Sequence, residues 1–156
     1  MSLQYYIQYA THFGLIPPVK TLTIIMLQEV WGTEVTLYYP DLYAGACDIV
    51  GVYANKDSII DFNQTNKPKR REWIDDYFIQ LGAYAMAHNY IYQTKIQSGI
   101  ILMCTKDNLF QKFESSDKEF VGYQHAFLRK VDEYYKNCNK NKDGVGYKKE
   151  SNNPVN

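Results

Sequence analysis

Asp48 and Asp61 are the residues of this 156-residue chain whose type and setting could do chemistry. Each lies in a run rich in Val, Ile and Tyr that reads as a β-strand, Tyr43–Ala54 for Asp48 and Ser58–Gln64 for Asp61, and the polar turn Asn55-Lys56-Asp57 joins them. If those strands pair, the two carboxylates converge in an oxygen-rich pocket with no cation beside them on the same stretches. Such a pocket suits Mg2+ or Mn2+, hard ions that keep several waters and accept phosphate oxygens. A metal held there polarises a phosphodiester and generates hydroxide. The bland alternative is that each aspartate ends its strand or pairs with Lys67 or Arg70.

Other polar residues gather around this pair. Side chains alternate along a strand, so Asp61 and Asn63 share one face while Ile60 and Phe62 share the other, which is expected to be the core face. The small Gly45-Ala46 step ahead of Asp48 leaves room for a close approach. Further on, Tyr77, Gln80 and Tyr84 fall on one side of a helix at three- and four-residue spacing. An aromatic stripe is ordinary core, but a glutamine inside it needs a polar reason.

Between the Asp61 strand and that helix lies the basic turn KPKRR. Lys67, Lys69, Arg70 and Arg71 could contact phosphates, and Trp73 and Tyr77 could stack bases, a combination that suits single-stranded nucleic acid. A solvated turn over core aromatics is the competing expectation. His12, His88 and His125 are scattered over separate elements, so neither a metal triad nor a Cys/His dyad is expected.

The elements that must position these residues follow in order. Val19, Leu22, Ile25, Met26 and Val30 give an apolar helical stripe over Val19–Trp31, ended by Gly32. Glu34–Tyr39, Tyr43–Ala54 and Ser58–Gln64 read as an antiparallel meander. The helix carrying Trp73, Tyr77, Gln80, Leu81, Tyr84 and His88 leads to Ser98–Cys104, a continuous apolar run expected of a strand buried on both faces, so the helix is a crossover. Asn108–Glu114 reads as a short edge strand, and Ser116 or Asp117 caps a last helix to about Asn137. The polar stretch 138–156 is expected to be a disordered tail, leaving residues 1–137 as a single domain. The order specifies an α/β or α+β fold with a mixed sheet flanked by helices.

Composition narrows the class. Lys and Arg balance Asp and Glu at 17 each, which excludes a globally basic nucleic-acid binder and makes any basic character local. Cys47, Cys104 and Cys138 lack the paired spacing of a zinc site, and Cys47 and Cys104, in apolar strand-like runs, read as buried reduced thiols, so a reducing, cytoplasmic setting is expected. No signal peptide is expected, and the Leu22–Leu27 run is far short of the ~20 residues a membrane span needs. The sequon Asn63-Gln64-Thr65 has no meaning in such a chain.

Three motifs in order, Gly45-x-x-Asp48, Ile59-Ile60-Asp61-Phe62-Asn63 and Gln80-x-x-x-Tyr84, resemble the RecB-type branch of the PD-(D/E)XK nuclease superfamily. Its phage-type and mitochondrial-type single-strand DNA exonucleases show a similar G-x-x-D, I-D-F/W-K-T and Q-x-x-x-Y series. The match runs roughly from Glu34 to Cys104. The resemblance implies a restriction-endonuclease-like core and an exonuclease acting on DNA that is single-stranded or has a free end. It implies that Asp48, Asp61 and the Phe62 carbonyl hold Mg2+ or Mn2+, and that Gln80 and Tyr84 hold the DNA or the site geometry.

The chain departs from that family in two places. Asn63 stands where the family has a lysine that orients the attacking water and stabilises transition-state charge; losing one such donor costs ~10²–10³ in rate. Lys67, Lys69 or Lys95 are the candidates to reach in instead. The N-terminal helix motif that adds a glutamate to the site is missing, with Glu29 on the first helix as the nearest substitute and Glu34 a weaker one. Two functions are therefore expected: a metal-dependent DNA nuclease, or an inactive nuclease-like module that binds DNA or protein.

Overall fold

A computed structural model of the chain describes residues 26–107 and 109–143, the side chains of 140–143 excepted. Leu27–Tyr39 (β1), Tyr43–Tyr53 (β2) and Lys56–Thr65 (β3) are antiparallel neighbours, as the meander required. The β2–β3 hairpin turns on Ala54 and Asn55, both at positive φ, the backbone of a two-residue turn that matches strand twist. The Gln28 side chain fixes that turn by accepting from the Asn55 N–H and donating to Asn55 Oδ1, both at 2.7 Å.

After a short 3-10 turn at Arg71–Trp73, helix α1 (Asp75–Tyr92) carries the chain over the sheet to Ser98–Thr105 (β4). β4 pairs parallel to β3, so α1 is the crossover that its apolar spacing implied. Asp75 and Asp76 sit favourably in its first turn, and Gln93 in the left-handed region ends it. Phe110–Ser116 (β5) adds antiparallel to β4 at the edge, and Asp117–Asp143 forms helix α2. The sheet order is β1-β2-β3-β4-β5.

The main core lies between the sheet and the helices. Leu37, Cys47, Val50, Ile59, Ile101 and Met103 from the strands meet Phe78, Leu81, Ala85 and Ala87 of α1 and Phe120 of α2. Helix α1 is packed on both sides, sheet below and α2 above. A Cβ on Gly82 would stand 3.0 Å from the Gln124 backbone nitrogen of α2, so this close approach uses the one residue without a side chain.

Four expectations are corrected. Leu27–Trp31 is strand, not helix: register shifts between Leu27 and Glu29 and between Val30 and Gly32 break the alternation, so the period of two that marks a strand is lost there. Residues 19–25 of that expected helix lie outside the described residues. Glu29 therefore lies on β1, where its carboxylate accepts from Trp31 Nε1 at 3.0 Å. Asp61 and Asn63 face the main core with Ile59, whereas Ile60 joins Leu27, Tyr53, Ile100 and Leu102 in a smaller cluster on the other face, and Phe62 is 49% exposed. Helix α2 runs to Asp143, into the stretch expected as a tail; residues 144–156 lie outside the described ones.

Candidate functional site

β2 and β3 pair from Tyr53↔Lys56 up to Ile49↔Ile60, and there their ladder stops, while β3 continues beside β4 as far as Thr65↔Thr105. Asp48 and Asp61 are the next residue on each strand. Cys47 and Val50 both belong to the main core although three residues apart, so the alternation of β2 also breaks at this point. In place of a β2 backbone acceptor, the Phe62 N–H donates to Asp48 Oδ2 at 2.7 Å. The aspartate carboxylate thus props open the fork in which both acids sit.

Asp61 is part-buried, and its carboxyl is pushed up to about 6 by burial first and by the charge of Asp48 second. Asn63 Nδ2 donates to Asp61 Oδ2 at 2.5 Å, which works in the opposite direction. Neither aspartate has an ion-pair partner among the described residues, so the pairing with Lys67 or Arg70 and the relocated lysine from Lys67, Lys69 or Lys95 are both absent from them. Two like charges facing each other without a cation is the arrangement that a divalent ion relieves.

Tyr84 reaches this fork from α1. Burial raises its phenol above the ordinary range, opposed by a hydrogen bond from Gln80, with Asp61, Cys47 and Asp48 raising it further. Gln80 Nε2 donates to Tyr84 Oη at 2.5 Å, which answers why an amide stands in the aromatic stripe. The Tyr84 ring lies where a Cβ on Gly45 would be, 2.6 Å from Cε1. The glycine of the first motif therefore makes space for the tyrosine of the third. The Cys47 thiol beside them is buried and pushed up to about 12, which keeps it protonated and inert.

The third acid is not found: among the described residues no three His, Cys, Asp or Glu side chains cluster to hold a metal. Glu34 is the nearer of the two candidates, because Thr33↔Ile49 and Val35↔Cys47 flank it opposite Asp48, yet it takes a positive φ of 50° and an exposed position. The donor set present is two carboxylates, with the Phe62 backbone beside them. It fits a hard divalent ion that completes its shell with water and phosphate oxygens.

The basic turn divides. Arg71 is bonded to Asp75 (3.1 Å), Glu119 (2.9 Å) and Tyr123 Oη (3.1 Å) and lies over the Phe78 ring, so it ties the helices together. Tyr77 packs against the core. Lys67, Arg70 and Trp73 are exposed, and the Lys69 backbone is bonded to the Gln111 side chain. Gln111 was missed from the sequence; its position on an edge strand gave no sign that it would clasp a loop. His88, stacked on Trp31 and bonded to Thr94, and His125 stand on α1 and α2, apart as expected, while His12 lies outside the described residues.

No protein-family model matches the sequence, and no curated protein matches it. Among solved structures, the chain is similar to a protein of Eubacterium rectale described as a "putative exonuclease", with a TM-score of 0.55 and 12% identity over 86% of this chain. It spans 57% of that protein's length. It is also similar to a protein named SSO0001, at a TM-score of 0.41 and 14% identity over 82% of this chain and 69% of the other, a likeness too low to argue from. At such identity the first likeness speaks to architecture: the mixed five-stranded sheet flanked by helices is an α+β fold consistent with a nuclease-like core.

Proposed function

We propose that the chain is a metal-dependent DNA nuclease of reduced activity, with its centre at the fork between β2 and β3. The observation that carries this reading is the convergence of Asp48 and Asp61 there with no ion-pair partner among the described residues, the Asp61 carboxyl being pushed up to about 6 by burial first and by Asp48 second. Asp48 and Asp61 would hold Mg2+ or Mn2+, with the Phe62 carbonyl as a further ligand. When bound, the metal supplies a Lewis acid for the phosphate and a lowered pKa for water. The order of the three motifs supports a RecB-type site, and that resemblance implies action at DNA ends.

The side chains would divide the remaining work. Tyr84, its oxygen engaged by Gln80, keeps its own proton and offers it to a phosphate oxygen. In hydrolysis the water oxygen bonds to phosphorus, one ester P–O bond breaks, and the leaving oxygen takes a proton. Asn63 orients Asp61 through its amide but brings no positive charge to the transition state, which lowers the rate by ~10²–10³ relative to a lysine.

That same bond favours a second reading, a nuclease-like module that binds DNA without cutting it. End-labelled single- and double-stranded DNA, incubated with Mg2+ or Mn2+, separates the two. The native chain is expected to cut slowly and Asn63→Lys to cut ~10²–10³ faster. Cleavage by neither folded protein would sink the nuclease reading. Calorimetric titration with Mn2+ should show binding that Asp61→Asn abolishes; equal binding by both would remove the proposed metal centre.

A further inference from the structure

The basic turn ahead of α1 is held at the level of the candidate site. The Gln111 side-chain amide accepts from the Lys69 N–H at 2.8 Å and donates to the Lys69 carbonyl at 2.9 Å. Gln111 is the register partner of Met103, and Met103 of Asn63. Residues paired across a ladder share a face, so Lys69 is clasped on the same side of the sheet as Asn63. Gln111 and Asn63 stand two strand spacings apart, ~10 Å.

The turn also offers unmatched charge and an open ring. With Arg71 committed to Asp75 and Glu119, Lys67, Lys69 and Arg70 have no ion-pair partner among the described residues. The Arg70 guanidinium lies over the Trp73 indole at 5.2 Å, and Trp73 is still 60% exposed. A large aromatic ring left in water beside unpaired cations is suited to a base and its phosphates.

We infer that this turn is a subsite for single-stranded DNA, in which an unpaired base stacks on Trp73 and the flanking phosphates lie on Lys67, Lys69 and Arg70. Bases in a duplex are stacked on their neighbours and do not offer a face to a surface indole, so the subsite selects an unpaired strand. It rests on the nuclease reading for the path of the strand toward Asp48 and Asp61, though not for binding itself.

Trp31→Phe leaves Trp73 as the one remaining indole of the chain. In EDTA, titration of that protein with an oligo-dT strand should quench its fluorescence. Trp73→Ala should weaken binding roughly five- to a hundredfold, measured by anisotropy of a labelled strand, and Trp73→Phe should retain most of the affinity. Replacing Lys67, Lys69 and Arg70 together by Ala should flatten the slope of log K against log salt by about 2. Because these residues are solvent-facing or held by backbone bonds, the variants should keep the parent's melting curve. Absent quenching, unchanged affinity in Trp73→Ala, or tighter binding of a duplex of equal length would each overturn the subsite. EDTA removes divalent metal, so failure of Asn63→Lys to cut DNA counts against the nuclease reading alone.

Discussion

Removing one of the two converging charges should stabilise the metal-free protein. In the fold the Asp61 carboxyl is pushed from 3.8 to about 6, by burial first and Asp48 second. A carboxyl raised in this way binds more protons in the folded than in the unfolded chain between those values. Its contribution to stability is present at low pH and is lost as pH rises through about 4 to 6. Above that window the ionised group imposes its full penalty. The displacement corresponds to at most ~3 kcal/mol, and solvent screening at a part-exposed carboxylate reduces it to ~1–2 kcal/mol.

Asp61→Asn keeps an oxygen for the Asn63 amide to bond and leaves the Asp48–Phe62 bond in place, so it removes chiefly the charge. In EDTA at pH 7.5 the variant should melt ~2–8 °C above the native chain. The difference should vanish near pH 4, where the native carboxyl is protonated. Mn2+ at a hundred times its dissociation constant should then stabilise the native chain by ~2.7 kcal/mol and leave the variant unmoved. A variant that melts below the native chain at pH 7.5, or a difference that does not change with pH, would refute the claim that burial and Asp48 together raise the Asp61 carboxyl.

Two further substitutions test how the site is supported. Gly45→Ala places a Cβ 2.6 Å from Tyr84 Cε1 and should cost ~1–3 kcal/mol in thermal unfolding; in a Tyr84→Ala background the same change should cost under ~0.5 kcal/mol. Arg71→Ala removes the bonds to Asp75, Glu119 and Tyr123 and should lower stability by ~1–2 kcal/mol without changing the salt slope of oligonucleotide binding, whereas a phosphate contact would flatten that slope by ~0.7.

The strands that carry the site were legible because their apolar runs are long and their turns are polar: β2, β3 and β4 lie within a residue or two of the expected bounds. Of β1 only the second half, Glu34–Tyr39, was legible, since two register shifts in the first half displace the apolar residues and erase the period-two signal. The core face of β3 was hidden for a different reason. Alternation separates Ile60 from Asp61 but does not say which of the two sides the helices cover, and here they cover the side of Ile59 and Asp61. Tyr84 and Gln80 were readable as a pair by helical spacing, and their tie to Gly45 became visible only when the glycine and the ring met across the fold. In the basic turn the sequence shows four cations alike, but which of them finds an acid depends on where α2 runs.

The raised carboxyl of Asp61 and the amide of Asn63 are two sides of one arrangement. A lysine at that position would set a permanent cation beside both aspartates, lower the Asp61 carboxyl and let the fork stand in neutral balance without help. Asn63 donates a hydrogen bond that opposes the rise only in part, and it brings no charge to offset the repulsion between Asp48 and Asp61. Protons and divalent ions would then compete for the same pair of oxygens, because no side-chain cation among the described residues pairs with them. On the proposed nuclease reading, the uncharged Asn63 that would weaken transition-state stabilisation is therefore also the residue that would tie occupancy of this fork to pH. Asn63→Lys should change both properties together, since it adds the one charge on which both would depend.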